Sequence, residues 1–398
     1  MSRKSLGIGV IGFGWMGQAH SRGFRRGPSY FPDRSYDPRL VICGDNMDGR
    51  GDMAVSDFGF EESTKDWQAV IDHPDVDVVV VTAPNMLHVD LCVAAAEAGK
   101  HVFCEKPVGG TPEQTAIVEK ATRDAGVNTG VGYNYRFAPL VAYAKELIDD
   151  GALGEITNYR GRFFSMYGAD PMGLLSWRFQ HEHAGYGVST DILSHSVDLA
   201  MHLIGPIDKV MGLSHTFITD RPLPKAGGTH YDRGAPGDPT GPVTNEDYFG
   251  AMVRFDNGAI GNFETSRAII GPESQNAFEV YGTKGSIAWN FEKMNELQVY
   301  LVDDEGPSGG VRRHNGYTHV FGGDQYRFHG NFVPGSANSI GFEDLIAIED
   351  FNFLEAVATD TPYEPGFREA LAYVSVQAAM IRSSESGSWE PVTSVGLD

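Results

Sequence analysis

The chain has 398 residues, of which 41% are hydrophobic and 21% charged, a globular composition with enough length for two domains. Its 53 acidic and 31 basic side chains give a formal net charge of −22, so its surface would repel nucleic-acid phosphates and anionic membranes. We therefore expect no nucleic acid and no membrane among its partners.

The three cysteines, Cys43, Cys92 and Cys104, lie in apolar surroundings, which favours reduced packing residues over disulfides or a structural zinc site. No apolar run is long enough to span a bilayer, and no export cleavage pattern follows the short basic start. We therefore expect a soluble protein of the cytoplasm.

Predicted strands and helices alternate over the first third of the chain. The predicted strands are 6–11, 39–45, 76–83, 101–106 and 127–135, and the predicted helices follow them at 17–24, 66–73, 89–99 and 111–126. Residues 27–38 are rich in Pro, Tyr and Asp and are predicted to form a loop. This alternation is typical of an α/β fold with a doubly wound parallel sheet, a Rossmann domain that we place at 1–136.

The remainder, 137–398, has the pattern of an α+β domain with a large, mostly antiparallel open sheet. Helices are predicted at 139–154, 187–205, 343–358 and 366–384, a strand at 156–166, hairpins at 251–267 and 278–291, and a further strand at 296–303. Two stretches rich in Gly and Pro, 221–244 and 303–341, are predicted to be long loops.

A glycine motif follows the first predicted strand and opens a helix. It comprises Gly12, Phe13, Gly14, Trp15, Met16 and Gly17. In this context the glycines allow a tight turn, close approach of a pyrophosphate and close packing of helix on strand, while the helix N-terminus favours the phosphate charge. The alternative is a glycine-rich turn without a ligand.

Asp45 ends the second predicted strand and can accept hydrogen bonds from the ribose diol of an adenosine. The next residue is Asn46, so no arginine directly follows to hold a 2′-phosphate. We therefore predict NAD as the cofactor, in preference to NADP. The motif and Asp45 are further apart than is usual, and we assign the excess to the 27–38 loop.

Four polar residues recur at steps of four, three and four in the predicted 187–205 helix: Asp191, His195, Asp198 and His202. Asp191 can orient and stabilise the imidazole of His195, which could exchange a proton with a hydroxyl. We predict structural roles for Asp198 and His202, and the alternative for the whole set is a solvated polar face. The His181–His183 cluster is predicted to be incidental, and no metal site is predicted.

Together these segments resemble the Gfo/Idh/MocA oxidoreductases, over almost the whole chain. The resemblance rests on GFGWMGQAH at 12–20, TAPNMLHVDLCVAAAEAGKHVFCEKP at 82–107, GYNYRFAP at 132–139, SWRF at 176–179 and GYGVSTDILSHSVDLAMHLIG at 185–205. Within the family, the SWRF segment and the DILSHSVDLA helix are most similar to levoglucosan dehydrogenases and related sugar or cyclitol dehydrogenases.

The resemblance implies roles for individual residues. It implies a catalytic set of Lys106, Asp191 and His195. Beyond the glycine motif and Asp45, it implies cofactor contacts by Thr82, Asn85, His88, Glu105, Lys106, Asn134, Trp177 and Arg178. The substrate contacts that it implies are Lys106, Tyr135, Arg136, Trp177, Asp191 and His195. Pro107 removes a backbone donor and fixes the turn at the end of this strand, and its ring allows either a cis or a trans bond to Lys106.

The expected activity is NAD-dependent oxidation of a secondary hydroxyl of a sugar, anhydrosugar or cyclitol to a ketone. Two alternatives remain open: an NAD-dependent glycosidase of the same fold, and a non-enzymatic protein that senses a nucleotide. The family is usually dimeric or tetrameric through the exposed face of its second sheet, so a homodimer or homotetramer is expected.

Overall fold

The computed structural model describes residues 3–224, 232–302 and 316–395. In chain order, the helices are α1 (Trp15–Tyr30), α2 (Arg50–Phe58), α3 (Trp67–Ile71), α4 (His88–Glu97), α5 (Pro112–Ala125), α6 (Pro139–Asp149), α7 (His181–Ala184), α8 (Val188–Asp191), α9 (Leu193–Ile204), α10 (His329–Phe332), α11 (Phe342–Thr359) and α12 (Phe367–Ser386). Short 3-10 helices occupy Asn85–Leu87, Asn134–Phe137, Trp177–Phe179 and Phe291–Lys293.

The strands are, in chain order, β1 (Lys4–Ile11), β2 (Tyr36–Gly44), β3 (Glu62–Thr64), β4 (Val78–Val81), β5 (His101–Cys104), β6 (Thr129–Val131), β7 (Ile156–Phe164), β8 (Ile207–His215), β9 (Asp220–Pro222), β10 (Thr240–Pro242), β11 (Tyr248–Phe255), β12 (Ile260–Ser266), β13 (Gln275–Gly282), β14 (Gly285–Asn290), β15 (Glu296–Leu301), β16 (Thr318–Phe321) and β17 (Glu390–Pro391). Two compact units contain these elements. Unit 1 is Met1–Phe137, Ile340–Val374 and Ser394–Asp398, and unit 2 is Ala138–Ser339 and Ser375–Thr393.

Unit 1 contains a six-stranded sheet with the order β3-β2-β1-β4-β5-β6, in which all neighbouring strands are parallel. Every residue of β4 is buried, as its uninterrupted valines predict for a strand covered on both faces. The order reverses between β1 and β4, and ligands of such sheets bind where the carboxyl ends of the strands diverge. The predicted doubly wound parallel sheet is confirmed.

Helix α11 belongs to unit 1, although it lies more than 200 residues beyond β6 in the sequence. Its Phe353, Leu354 and Val357 are buried in one core cluster with β1, β2 and β4. The sequence prediction placed all of 137–398 in the second domain. The prediction and the structure differ because the apolar sequence of α11 indicates that the helix is buried, but does not indicate which of the two sheets it covers.

Unit 2 contains a nine-stranded sheet with the order β16-β15-β14-β13-β7-β12-β11-β8-β17. Only the β7–β12 pair is parallel among the described strands of this sheet, so the predicted, mostly antiparallel sheet is confirmed. The two predicted hairpins are β11–β12 and β13–β14. Strands β9 and β10 form a separate pair inside the predicted 221–244 loop.

Several predicted boundaries differ from the structure. Helix α1 continues to Tyr30 and β2 begins at Tyr36, so the 27–38 loop prediction was wrong. Pro28 lies in the last turn of α1, where a missing N–H removes a single helical bond. The predicted 187–205 helix is two helices that meet at Ile192 (φ −113°). Elements α2 and β3 were not predicted, because their polar sequence lacks a clear period.

The three cysteines are buried and carry free thiols, in agreement with their predicted packing role. Burial raises the pKa of the Cys43 thiol to about 12. No helix among the described residues combines the length and the apolar character that crossing a membrane requires.

Candidate active site

The glycine motif forms the turn between β1 and α1. Gly12 has a positive φ of 95°, and a Cβ there would lie 2.7 Å from the backbone N of Ala83. A Cβ on Gly17 would lie 2.2 Å from the carbonyl O of Gly12. Both glycines are therefore required by the fold. A Cβ on Gly14 would meet no described atom within 4 Å, so the space in front of α1 is open.

The other members of the motif divide between core and surface. Phe13 is buried with its ring edge-on to Phe58, at 4.9 Å between centroids, so only its backbone faces the turn. Trp15 is 63% exposed and stacks on Phe342 at 5.5 Å, while Met16 is half-buried. No side chain caps α1 at Gly14. Its first N–H groups and the open space fit a dinucleotide pyrophosphate.

Asp45 lies beside this turn and already accepts three hydrogen bonds. Its Oδ2 accepts from the Phe13 N–H at 2.6 Å and from Nη1 of Arg50 at 3.1 Å, and its Oδ1 accepts from the Met47 N–H at 2.8 Å. A carboxylate has about four acceptor positions, so room for a ribose hydroxyl remains. The prediction of NAD over NADP considered only the residue after Asp45. It missed Arg50, which begins α2 and lies beside the Asp45 carboxylate.

Thr82 and Asn85 follow β4, next to the glycine turn. The Thr82 hydroxyl donates to the carbonyl O of Gly12 at 2.5 Å, which links the ends of β1 and β4. Asn85 begins a 3-10 helix and is half-buried. Thr82 therefore stabilises the glycine turn through this hydrogen bond. Asn85 lies at the carboxyl edge of the sheet, just after β4.

His88 is buried below this edge rather than exposed on it. Its ring nitrogens lie 2.7 Å from the carbonyl oxygens of Pro107 and Ala83. The imidazole thus joins the segment after β4 to the segment after β5. From this position His88 can orient both segments, and the contact with a cofactor ribose that the resemblance implies stays a prediction.

Glu105 and Lys106 follow β5, and of the two forms that proline allows the Lys106–Pro107 bond is cis. One oxygen of Glu105 accepts from the Lys106 N–H at 3.2 Å, and the other lies 3.2 Å from Nε2 of His20. Nδ1 of His20 lies 2.7 Å from Asp350 of α11. The buried Glu105 carboxylate is therefore held from within unit 1.

The 3-10 helix after β6 carries Asn134, Tyr135 and Arg136. Asn134 is buried, and its side-chain N has no hydrogen-bond partner among the described residues. Such an orphaned donor fits a ligand group. Tyr135 is buried against Phe342, and Arg136 pairs with Glu364 at 3.1 Å. The Arg136 guanidinium is therefore engaged within unit 1, although a substrate contact was predicted.

In unit 2, Asp191 ends α8 and His195 lies in the first turn of α9. The Asp191 carboxylate accepts from the Tyr167 hydroxyl at 2.9 Å and from Nη1 of Arg178 at 3.4 Å. Burial raises the pKa of Tyr167, and the charge of Asp191 adds to the shift, so this hydroxyl remains a donor. Arg178 also covers the Trp177 ring, 4.6 Å from its centroid.

The break at Ile192 separates Asp191 from the helix that carries His195. The first turn of α8 is held by Glu246, whose carboxylate accepts from the N–H groups of Gly187 and Ser189 at 2.8 and 3.0 Å. The single continuous stripe predicted for the four polar residues is therefore wrong. Asp198 is buried on α9, where its charge adds to the burial that raises the pKa of Tyr159.

Two buried arginines support the segment that carries these residues. The guanidinium carbons of Arg221 and Arg267 lie 4.0 and 4.5 Å from the ring centroid of Phe179. Arg221 donates to the carbonyl groups of Gly168 and Asp170, and Arg267 donates to that of Arg178 at 3.2 Å. Through these bonds the two stacked arginines hold the backbone at Gly168, Asp170 and Arg178, next in sequence to Tyr167 and Trp177.

Sequence reasoning missed four residues of these two sites: His20, Arg50, Tyr167 and Asp350. His20 lies inside the quoted glycine segment, so its position eight residues after Gly12 was an available signal. No sequence signal pointed to Tyr167 or Asp350, because their partners, Asp191 and His20, lie far away in the sequence. Within the described ranges, no three His, Cys, Asp or Glu side chains are grouped to hold a metal ion.

Known proteins resemble the chain in both units. The family model "Oxidoreductase family, NAD-binding Rossmann fold" matches residues 6–133, and the model "GFO/IDH/MocA C-terminal domain" matches residues 141–288. Levoglucosan dehydrogenase of Pseudarthrobacter phenanthrenivorans is 37% identical over 395 residues, which cover 98% of this chain and 99% of that protein. The scyllo-inositol 2-dehydrogenase (NAD(+)) of Bacillus subtilis is 30% identical over 70% of this chain and 72% of its own.

Solved structures give the same result. A levoglucosan dehydrogenase in complex with NADH and levoglucosan has a TM-score of 0.90 at 35% sequence identity, covering 98% of this chain and 100% of that chain. The apo form has a TM-score of 0.92 at 36% identity, with the same coverage. Because the matches extend over nearly the whole chain, this protein belongs to the Gfo/Idh/MocA family of oxidoreductases, with the family's NAD-binding Rossmann fold in residues 6–133.

Proposed function

We propose that this protein is an NAD-dependent dehydrogenase that oxidises a secondary hydroxyl of a sugar, an anhydrosugar such as levoglucosan, or a cyclitol to a ketone. The observation that carries the proposal is the Asp191 carboxylate, held by Tyr167 and Arg178 four residues before His195. A carboxylate and an imidazole four residues apart in the chain are residue types that suit proton removal from a hydroxyl. The similarity to sugar and inositol dehydrogenases supports the substrate class.

In this proposal, the single proton of the reacting hydroxyl passes to a relay of Lys106 and His195, and Asp191 stabilises the imidazolium that forms when the proton resides on His195. Tyr167 and Arg178 orient the Asp191 carboxylate, because both donate hydrogen bonds to its oxygens. NAD, when bound, supplies the acceptor for the hydride that leaves the carbinol carbon. In unit 1, the residues that would hold it are the turn at Gly12–Gly17, Asp45, Thr82, Asn85 and Asn134. The resemblance also implies contacts of Trp177 and Arg178 with its nicotinamide end.

Turnover with a panel of polyols tests the proposal. We expect NADH absorbance to rise with at least one of levoglucosan, glucose, a glucoside, myo-inositol or scyllo-inositol, and to stay flat without the sugar. NAD binding without NADH formation from any of them would contradict it. Release of a chromogenic phenol from a glycoside without net NADH would instead support the glycosidase alternative.

Asp45 is predicted to set the preference for NAD over NADP. Its charge would repel a 2′-phosphate, while Arg50 is placed to attract one. We expect Asp45→Asn to lower the ratio of kcat/KM for NAD to that for NADP by roughly 100-fold, the equivalent of one charge pair about 6 Å apart at an effective dielectric near 20. Kinetics with both cofactors give the ratio.

The matched control for this prediction is Asp48→Asn, which removes an exposed carboxylate from the same segment. Its cofactor ratio should stay within about twofold of the parent value, because exposed charges are strongly screened by salt. Equal ratios for the Asp45 and Asp48 variants would show that Asp45 does not set the preference.

We also propose that the protein is a homodimer or homotetramer of the cytoplasm. Leu213, Met252 and Ile260 are exposed on one face of three neighbouring strands, β8, β11 and β12. Apolar side chains grouped on a sheet face favour association with a second copy. The three buried free thiols fit a reducing compartment. Light scattering gives the oligomeric state.

A further inference from the structure

Three ionisable side chains from three elements form a buried row in unit 1, behind the residue proposed as the acid/base. Asp350 on α11 lies 2.7 Å from Nδ1 of His20 on α1, and Nε2 of His20 lies 3.2 Å from Glu105 after β5. His20 is fully buried, while Asp350 and Glu105 are 2% and 9% exposed. We name this set the Asp350–His20–Glu105 row.

Glycines make room for the carboxylate at each end of the row. A Cβ on Gly23 would lie 2.2 Å from Oδ2 of Asp350, and a Cβ on Gly132 would lie 2.7 Å from Oε1 of Glu105. Both carboxylates therefore rest directly on backbone. The ring of Phe103 packs edge-on against His20 at 5.0 Å. Little space is left for any of the three groups to move.

The charges of the row are mutually dependent. Both ring nitrogens of His20 face a carboxylate, and a ring that donates to both carries a positive charge. Asp350 and Glu105 together raise the pKa of His20 well above its ordinary value, against the opposing effect of burial. Burying such a set is less favourable than packing apolar side chains of the same volume. Packing of α1 against α11 alone therefore does not explain why the chain buries these three ionisable groups.

The row ends on the backbone of Lys106. Oε2 of Glu105 accepts the Lys106 N–H at 3.2 Å, so the position of the carboxylate sets that of the peptide group from which the Lys106 side chain departs. A proton-transfer group has to be held at the reacting atom with small tolerance.

Resting on the dehydrogenase function proposed above, we propose that His20 and Asp350 are positioning residues of the reaction. They fix the Glu105 carboxylate against the Lys106 backbone and thereby direct the Lys106 side chain. Neither residue touches the substrate in this role. The row acts on the rate of the chemical step more than on binding of the sugar or of NAD.

The first test replaces Asp350 by asparagine, which keeps the size of the side chain and removes its charge. We expect kcat to fall roughly 10- to 100-fold, the effect of misplacing a reacting group by about 1 Å. KM for both substrates should stay within about threefold. The matched control is Glu355→Gln on the same helix, whose carboxylate bonds to Ser35 instead of the row, and its kcat should stay within about twofold of the parent value.

A double-mutant cycle separates positioning from mere stability. If Asp350 acts through Glu105, Asp350→Asn in a Glu105→Gln background should lower kcat by less than about twofold further, because coupled sites are not additive. An additive fall in the two backgrounds would overturn the proposal. So would a single variant with a lower melting temperature and an unchanged kcat.

His20 provides a second route in case the Asp350 variant does not fold. We expect His20→Ala to lower kcat, and His20→Gln, whose amide can still donate to Glu105, to recover part of the loss. Equal kcat in both variants would contradict the proposal. If the parent protein itself oxidises no sugar, the dehydrogenase assignment fails. If the parent is active and the variants match the Glu355 control, only the positioning role fails.

Discussion

Replacing Lys106 by methionine is expected to lower kcat by at least about 100-fold, since general acid–base catalysis typically contributes 10²–10⁴-fold. Methionine keeps an unbranched stem and the backbone N–H that Glu105 accepts, and it removes the ammonium group. NAD affinity should change little, because the glycine turn and Asp45 follow β1 and β2 and are not part of the segment after β5. Steady-state kinetics together with quenching of tryptophan fluorescence by NAD would measure both quantities.

The matched control is Lys100→Met at the opposite end of β5. Lys100 donates to the carbonyl groups of His73 and Val76 at 3.1 and 2.7 Å, so its loss affects local packing at the amino edge of the sheet. Its kcat should remain close to the parent value. If Lys106→Met kept more than about a tenth of the parent kcat, the 10²-fold contribution expected of an acid–base group would be absent.

Replacing Asp247 by asparagine is expected to lower the free energy of unfolding by about 3–5 kcal/mol, because it leaves a buried arginine without its counter-charge. Asp247 and Arg267 are both fully buried, with 2.7 Å between Oδ1 and Nε. The other oxygen of Asp247 accepts the N–H groups of Phe217 and Ile218 at 3.0 and 2.9 Å. An amide cannot accept from all of these donors. Chemical denaturation measures the loss.

Asp170→Asn is the comparison for this prediction, since its ion pair with Arg233 is largely exposed. Exposed pairs contribute about 0–1 kcal/mol, so the two variants should differ clearly. Arg267 also holds the carbonyl of Arg178, and the Asp247 variant should therefore raise KM for the sugar. Equal losses in the two variants would show that the buried pair relaxes or admits water.

The fold was largely predictable from the sequence because local patterns determine it. The valines of β4, the glycine turn and the Thr111 cap of α5 each specify an element without reference to distant residues. Residue patterns supplied the glycine motif, Asp45, Asp191 and His195. The resemblance supplied the other residues of the candidate site, and neither supplied their surroundings. Tyr167 and Asp191 are 24 residues apart, and no periodicity connects a loop residue to a helix end.

Two features of the fold were not predictable, for a different reason: the assignment of α11 to unit 1 and the break at Ile192. Both depend on tertiary contacts: the apolar face of α11 fits the core of unit 1, and Glu246 holds the first turn of α8. Likewise, burial of His20 could be expected from its position on α1. Its two carboxylate partners lie 85 and 330 residues away.

The discontinuity of unit 1 has a consequence for synthesis of the chain on the ribosome. Residues 4–137 can leave the exit tunnel and pair their parallel strands, yet Phe353, Leu354 and Val357, which complete the core, are made last. The first segment of unit 1 therefore keeps the apolar surface that α11 will cover exposed until all of Ala138–Ser339 has been translated. A fragment ending near Phe137 would keep that surface exposed permanently, so the isolated first segment is a poor choice for expression as an independent domain.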